Sequence, residues 1–330
     1  MKHKLYIFLA CTLLLFSCKK EREHAVDFYY WKTNVSFSDT EKDYFEELGS
    51  KKLYIRFFDV DNTGNGIYPQ AKIRPFDPRS INAEYVPVVF ITNRSFIGIG
   101  QDQIDSLAVN INSLISEICT ENKLPLVKQI QIDCDWTEST KIVYFSFLKK
   151  LKTISGKELS CTIRLHQIAY KEKTGVPPVE KGFLMCYATS QPTEFSDNNS
   201  ILDMKLLKSY TQNINDYPLP FDIALPLYSW AVVTNHLGKA KLINGITAEE
   251  LSAEENFRIL EKDKYEVLQD LFFHGLYLNK GFQIKVEGIS PQLLREAKSY
   301  LDNKIERNYA IVYYHLDKPF LERFSIKDLK

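Results

Sequence analysis

A basic excess, a glycine-rich phosphate motif and closely spaced cysteines are all missing from this sequence. Its 42 Lys and Arg balance 42 Asp and Glu. No basic stripe interrupts that balance, so a nucleic-acid partner is not expected. No G-x-G-x-x-G turn follows the first β-like run, which argues against a doubly wound dinucleotide-binding sheet. Gly64-Asn65-Gly66 reads as a turn and nothing more. No H-E-x-x-H or comparable local ligand cluster occurs, and no metal or other cofactor is expected. Cys119, Cys134, Cys161 and Cys186 are too widely spaced for a zinc knuckle or a C-x-x-C redox pair. They read as small buried apolar side chains, with no disulfide pairing indicated. After the first eighteen residues no apolar run approaches membrane-spanning length.

What is present begins with Lys2 and Lys4, followed by an apolar run from Leu5 to Phe16. That run is too short to span a bilayer and reads as an export signal. It ends in Leu15-Phe16-Ser17-Cys18, which resembles the lipobox of bacterial lipoproteins, with Phe16 a less usual occupant. The resemblance implies that Cys18 is lipidated and becomes the mature N-terminus, and that the chain is exported and held at the cell envelope, at the outer membrane. A plain secretory signal with an incidental cysteine is the alternative. Residues 19–26 are expected to form a tether, because their charges resist packing. Removing Lys2 and Lys4 leaves 40 basic against 42 acidic side chains, a net charge of −2. The remaining stretch, about 310 residues, suits one α/β barrel without a second domain.

Short β-rich runs at 27–34, 53–60, 86–92, 129–136, 159–168, 182–188, 222–228 and 309–316 alternate with helical patterns at 39–48, 102–119, 139–151 and 201–214. This alternation predicts a single (β/α)8 barrel over residues 27–330. Ser38-Asp39 and Ser290-Pro291 signal helix starts. The connection from the seventh to the eighth strand is long, about eighty residues, and long connections seldom lack a role. Within it the sequence predicts a helix over 249–260 and a hairpin of 271–278 with 282–286, turning at Asn279-Lys280-Gly281.

The chemistry-bearing residues cluster at the end of the fourth strand, in Gln131-Ile132-Asp133-Cys134-Asp135-Trp136-Thr137-Glu138. Alternation puts Gln131, Asp133 and Asp135 on one face and Cys134 and Trp136 on the other. Two acids against the helix layer would be costly, so they are expected to point into the barrel near its C-terminal mouth. There each raises the other's pKa, and Glu138 follows on the loop. The same alternation sends Ser160, Thr162, Arg164 and His166 inward from the fifth strand and Tyr187 inward from the sixth. Cys134, Cys161 and Cys186 then face the helices together. Tyr29, Tyr30, Trp31, Tyr228, Trp230, Tyr313 and Tyr314 supply rings on which a sugar can stack. Arg56, Asp59 and Asp61 are further polar residues of the mouth.

Ile132-Asp133-Cys134-Asp135-Trp136 resembles the fourth-strand motif of chitinase-like family-eighteen glycoside hydrolases, and Met185-Cys186-Tyr187 resembles that family's sixth-strand Met-x-Tyr. The resemblance implies a substrate-assisted mechanism, in which a glutamate protonates the leaving oxygen, an aspartate positions the acetamido group and the tyrosine supports it. Thr137 stands where that glutamate belongs, Glu138 comes one residue later, and Ala188 replaces the aspartate after the tyrosine. From Tyr29 to Leu316 the chain also resembles a bacterial family of glycoside-hydrolase-like barrels to which no reaction is assigned. That likeness is carried by Gln131–Asp135, by Tyr144 and Leu148, by 159–164 and by 221–227.

Two functions follow. One is a membrane-anchored glycan hydrolase with its acid among Asp133, Asp135 and Glu138, and with Tyr187, Arg164 and His166 positioning substrate. The other is a non-catalytic glycan-binding or scaffolding lipoprotein, favoured by Thr137 and Ala188. A third reading, with Asp133, Asp135 and His166 as metal ligands, has suitable residue types but no local cluster.

Overall fold

The computed structural model of the chain describes residues 22–125, 127–192 and 197–330. The apolar leader and Cys18 lie outside these residues. Eight parallel strands form the barrel: β1 (Val26–Tyr30), β2 (Lys52–Asn62), β3 (Glu84–Ile91), β4 (Gln129–Asp133), β5 (Glu158–Arg164), β6 (Lys181–Met185), β7 (Phe221–Pro226) and β8 (Ile311–Tyr314). Each pairs with the next, and β1 pairs with both β2 and β8, so the sheet closes. A short strand, Ile67–Gln70, returns antiparallel along the end of β2. The expected (β/α)8 barrel is thus the observed fold.

Helices cover the outside where an apolar stripe meets the sheet. In α1 (Asp39–Glu47) Ser38 accepts from the Glu41 backbone while Glu41 bonds back to the Ser38 N–H, a capping box. In α2 (Gln101–Glu121) the buried Ile104, Leu107, Ala108, Ile111, Ile115 and Ile118 recur every three or four residues. α3 (Lys141–Ser155) buries Tyr144, Phe147, Leu148 and Leu151 beside the fully buried Cys134 and Cys161. The helix Pro291–Lys304 starts at Ser290 with proline in its first turn, as its sequence predicts.

Several boundaries differ from expectation. Residues 22–26 do not act as a free tether. Arg22 donates to the Ile305 carbonyl at 2.7 Å, His24 stacks on Tyr309 and contacts Asp302 at 2.7 Å, and Ile311 N donates to the Ala25 carbonyl. Partners across the chain overcome the polarity that argues for solvation. β5 stops at Arg164, because the Gln167 side chain accepts the Arg164 N–H and starts a helical turn, Leu165–Ala169. The helix expected over 201–214 begins only at Met204, where Asp203 caps it, and ends at Tyr210.

The insertion after β7 is a five-stranded antiparallel sheet with its own core of Ala231, Val233, Ile243, Val267, Leu278 and Ile284. Its helix covers only Ala248–Ala253. Residues Phe257–Glu261 form a strand instead, paired antiparallel with Lys264–Val267. The hairpin pairs Leu271–Phe273 with Leu276–Leu278 and turns at His274-Gly275, both with positive φ, rather than at Asn279-Lys280-Gly281.

The base of the barrel is polar. Asp27 accepts from the Lys51 and Lys52 backbone, and Asp222 accepts from Ala310 N at 2.8 Å and pairs with Lys181 at 2.6 Å. Asp222 thereby ties β6 and β8 through β7. Asp222→Ala is expected to lower unfolding stability by about 1–3 kcal/mol, read as a fall in the urea midpoint at unchanged slope. An unmoved midpoint would show that the base does not need this link.

Candidate functional site

The parallel register fixes one inward set in every strand. Phe90 lies beside Asp133, Gln131 beside Ser160, Thr162 beside Phe183, and Met185 beside Ala224. Tyr314 is opposite Pro226, and Tyr29 opposite Tyr54. Asp133, Thr162 and Arg164 therefore share the interior. Thr162 donates to Asp133 Oδ1 at 2.6 Å, and Arg164 Nε lies 3.6 Å from Asp135 Oδ1. Burial, reinforced by the nearby Asp135 charge, pushes the Asp133 carboxyl up to about 7 against the pull of Thr162 and Arg164.

Alternation persists beyond the last paired residue of β4. Cys134 and Trp136 are wholly buried, and Asp135 and Thr137 are exposed. Trp136 stacks on Tyr144 and donates to the Thr174 carbonyl, so it anchors this segment to the helix layer. Thr137 occupies the position in line with the two aspartates, its hydroxyl 2.9 Å from that of Ser139. Glu138 is exposed in the turn before α3, with no hydrogen bond or ion pair among the described residues. The largest charge effects on Asp133 come from Asp135, Arg164 and Asp59.

A bulge brings a third aspartate into the mouth. β2 pairs Arg56 with Val88 but Phe58 with Val89, so one residue is extra and the phase resets. Arg56 and Asp59, three apart, then face inward together, 3.2 Å from one another. Simple alternation assigns them to opposite faces. Arg56 also donates to Thr33 at 3.0 Å and lies over the Trp31 ring. It holds Trp31 and Asp59 in place. Desolvation raises the Asp59 carboxyl, partly offset by Arg56.

The opposite wall is aromatic. Trp31 contacts Tyr314, Tyr314 contacts Tyr187 and Tyr228, and Tyr228 contacts Trp230, with ring centroids 5.2 to 5.7 Å apart along that path. Trp230 belongs to the insertion, and its indole donates at 2.8 Å to Glu287, a buried acid that also bonds Ser200 and Lys285. Glu287 has no signal in the sequence, because only the pairing of 229–234 with 283–288 brings it to Trp230. Tyr187 is buried on the inner face while Cys186 is buried behind it.

Several expected residues are placed differently. Tyr29 is 1% exposed and packs against Tyr54 and Phe183 one layer below the mouth, so it is a core residue with no access to a ligand. His166 sits on the helical turn after β5 rather than on the inward face of a strand. It is exposed, and partial burial and Arg164 lower its pKa against the pull of Asp135. Tyr30 and Tyr313 point away from the mouth, donating to the Ser36 and Leu329 carbonyls. Asp133, Asp135 and His166 do not gather as ligands, and no group of three His, Cys, Asp or Glu side chains suited to a metal forms among the described residues. Cys134, Cys161 and Cys186 are free and buried, and Cys119 is free and half-buried.

With this geometry in place, comparison with solved structures gives the spore cortex-lytic enzyme SleL of Bacillus cereus at 14% identity and a TM-score of 0.59, covering 94% of this chain and 74% of that one. The fold is that of the chitinase-like barrels. A chitinase of Chromobacterium violaceum matches at 10% identity and a TM-score of 0.53, over 93% of this chain and 99% of its own. A class V chitinase of Nicotiana tobaccum matches at 10% and 0.55, with the same coverages. A structure of that tobacco enzyme contains NAG4. Comparison with family models and with curated proteins returned no match.

The raised Asp133 carboxyl has a signed consequence. Its folded pKa lies above the unfolded value, so ionisation costs stability. That cost is absent below the unfolded pKa, grows as pH rises towards about 7 and is complete above it. Asp133→Asn, which cannot ionise but still accepts from Thr162, is expected to melt higher than the native chain at pH 8 and at the same temperature near pH 4. Coincident melting curves at pH 8 would remove the assignment.

Proposed function

We propose that this chain is an envelope lipoprotein, anchored through Cys18, whose barrel mouth binds a glycan without the acid step of chitinases. The observation that carries this reading is Thr137. It stands in line with Asp133 and Asp135 where a proton donor is needed, and a threonine hydroxyl is far too weak an acid to protonate a leaving oxygen near neutral pH. Glu138, one residue on, is exposed and has no hydrogen-bond or ion-pair partner among the described residues. The wall from Trp31 to Trp230 offers flat faces to sugar rings, while Asp135, Arg164 and His166 offer hydrogen bonds at the opposite rim. Chitinase-like neighbours act on or hold sugars in barrels of this shape, which supports a carbohydrate partner.

A second reading, hydrolysis with Asp133 as the acid, is favoured by one feature: Asp133 keeps its proton up to about pH 7. Calorimetry with NAG4 and a reducing-end assay at pH 6 separate the two. Saturable binding without sugar release supports a binding protein. Release that disappears in Asp133→Asn supports the hydrolase, and neither binding nor release would overturn both.

Within the binding reading, Trp230→Ala is expected to weaken affinity about tenfold, or about 1.4 kcal/mol, by removing the outer ring of the wall. Thr137→Glu is expected to introduce slow sugar release, since a positioned general acid contributes about 10²–10⁴-fold. If Thr137→Glu binds NAG4 and still releases nothing, the missing acid is not what silences the site.

A further inference from the structure

We infer that the aromatic mouth is held away from the bilayer that carries this protein's lipid, so that its glycan partner is presented from beyond that membrane and not by a headgroup of the same leaflet. The inference rests on the reading of Cys18 as the lipidated residue.

The chain enters the body at the end of the barrel opposite the mouth. Every strand of a parallel barrel starts on one face, and β1 starts there at Val26. The residues before it are fixed to that face rather than left to swing. His24 lies in a stacked contact with Tyr309, ring centroids 4.3 Å apart, and its two ring nitrogens meet Asp302 at 2.7 Å and the Tyr309 carbonyl at 3.0 Å. Tyr309 in turn donates to Asp302. Arg22 holds the Ile305 carbonyl, closing the clamp one step nearer the lipid.

Only Lys19, Lys20 and Glu21 separate Cys18 from Arg22. Four residue steps, fully extended, reach at most about 14 Å. The body is longer than that reach. The helix Pro291–Lys304 runs from the mouth end down to the clamp, where Asp302 lies in its last turn. Its fourteen residues correspond to about 21 Å of height. An acyl chain at Cys18 therefore cannot pass around the barrel to bring the mouth onto its own bilayer. Tilting about Arg22 changes which flank is near the surface but not this conclusion.

The test uses the full-length, acylated chain in phosphatidylethanolamine and phosphatidylglycerol vesicles carrying a trace of headgroup quencher. In a Cys119→Ser background, a fluorophore is placed at Lys128→Cys, on the entry face before β4, or at Ile97→Cys, on the exposed loop after β3 at the mouth. Quenching several-fold stronger at 128 than at 97 is the expected result. Equal or reversed quenching in protein whose Cys18 is acylated by mass overturns the orientation and leaves the anchor intact. An unmodified Cys18 overturns the anchor itself, and with it this inference. His24→Ala combined with Asp302→Ala opens the clamp and lengthens the reach, so the difference between the two labels is expected to shrink. An unchanged difference would show that the clamp does not set the orientation.

Discussion

The phase in which eight parallel strands join decides almost everything about this site. Because the sheet closes on itself, β1 must agree with both β2 and β8, and a slip of one residue anywhere would turn a whole inward set towards the helices. That shared phase takes Gln131, Asp133 and Asp135 inward and leaves Cys134, Cys161 and Cys186 packed against the helix layer. The single exception is the bulge in β2, and it is productive. By adding one residue it brings Asp59 beside Arg56 and gives the mouth a further carboxylate with its own counter-ion.

The polar groups of the interior are arranged in layers with different tasks. At the base, Asp27, Asp222 and Lys181 exchange bonds with the backbone and with one another. In the middle, Tyr29, Tyr54 and Phe183 fill the barrel, and the Tyr29 hydroxyl is buried beside Gln131. Only the uppermost layer combines exposure, charge and aromatic faces. A carboxyl at the border of the last two layers, Asp133, is withdrawn from water yet lies within reach of the mouth, and its raised pKa follows from that position.

The insertion after β7 contributes to the same mouth although its core is separate. Ser229–Thr234 leaves the barrel directly from Tyr228 and carries Trp230 to the end of the aromatic wall. Glu287, on the paired strand Gln283–Gly288, fixes that indole from behind. The wall is therefore built by two structural units, one rigid through barrel closure and one through a buried acid.

The amino-acid sequence by itself determined the barrel, the order of its strands and the inward face of β4, because two-residue alternation around costly charges leaves few alternatives. Helix starts at Ser38 and Ser290 were equally local, each set by a cap and its following turn. The bulge at Phe57, the burial of Tyr29 and the docking of His24 were decided only in three dimensions. Each depends on partners distant in the chain, 285 residues away in the case of His24, and periodicity carries no information about such partners. The same holds for the antiparallel insertion, where the choice between helix and strand over 257–261 rests on neighbouring strands rather than on the segment's own pattern.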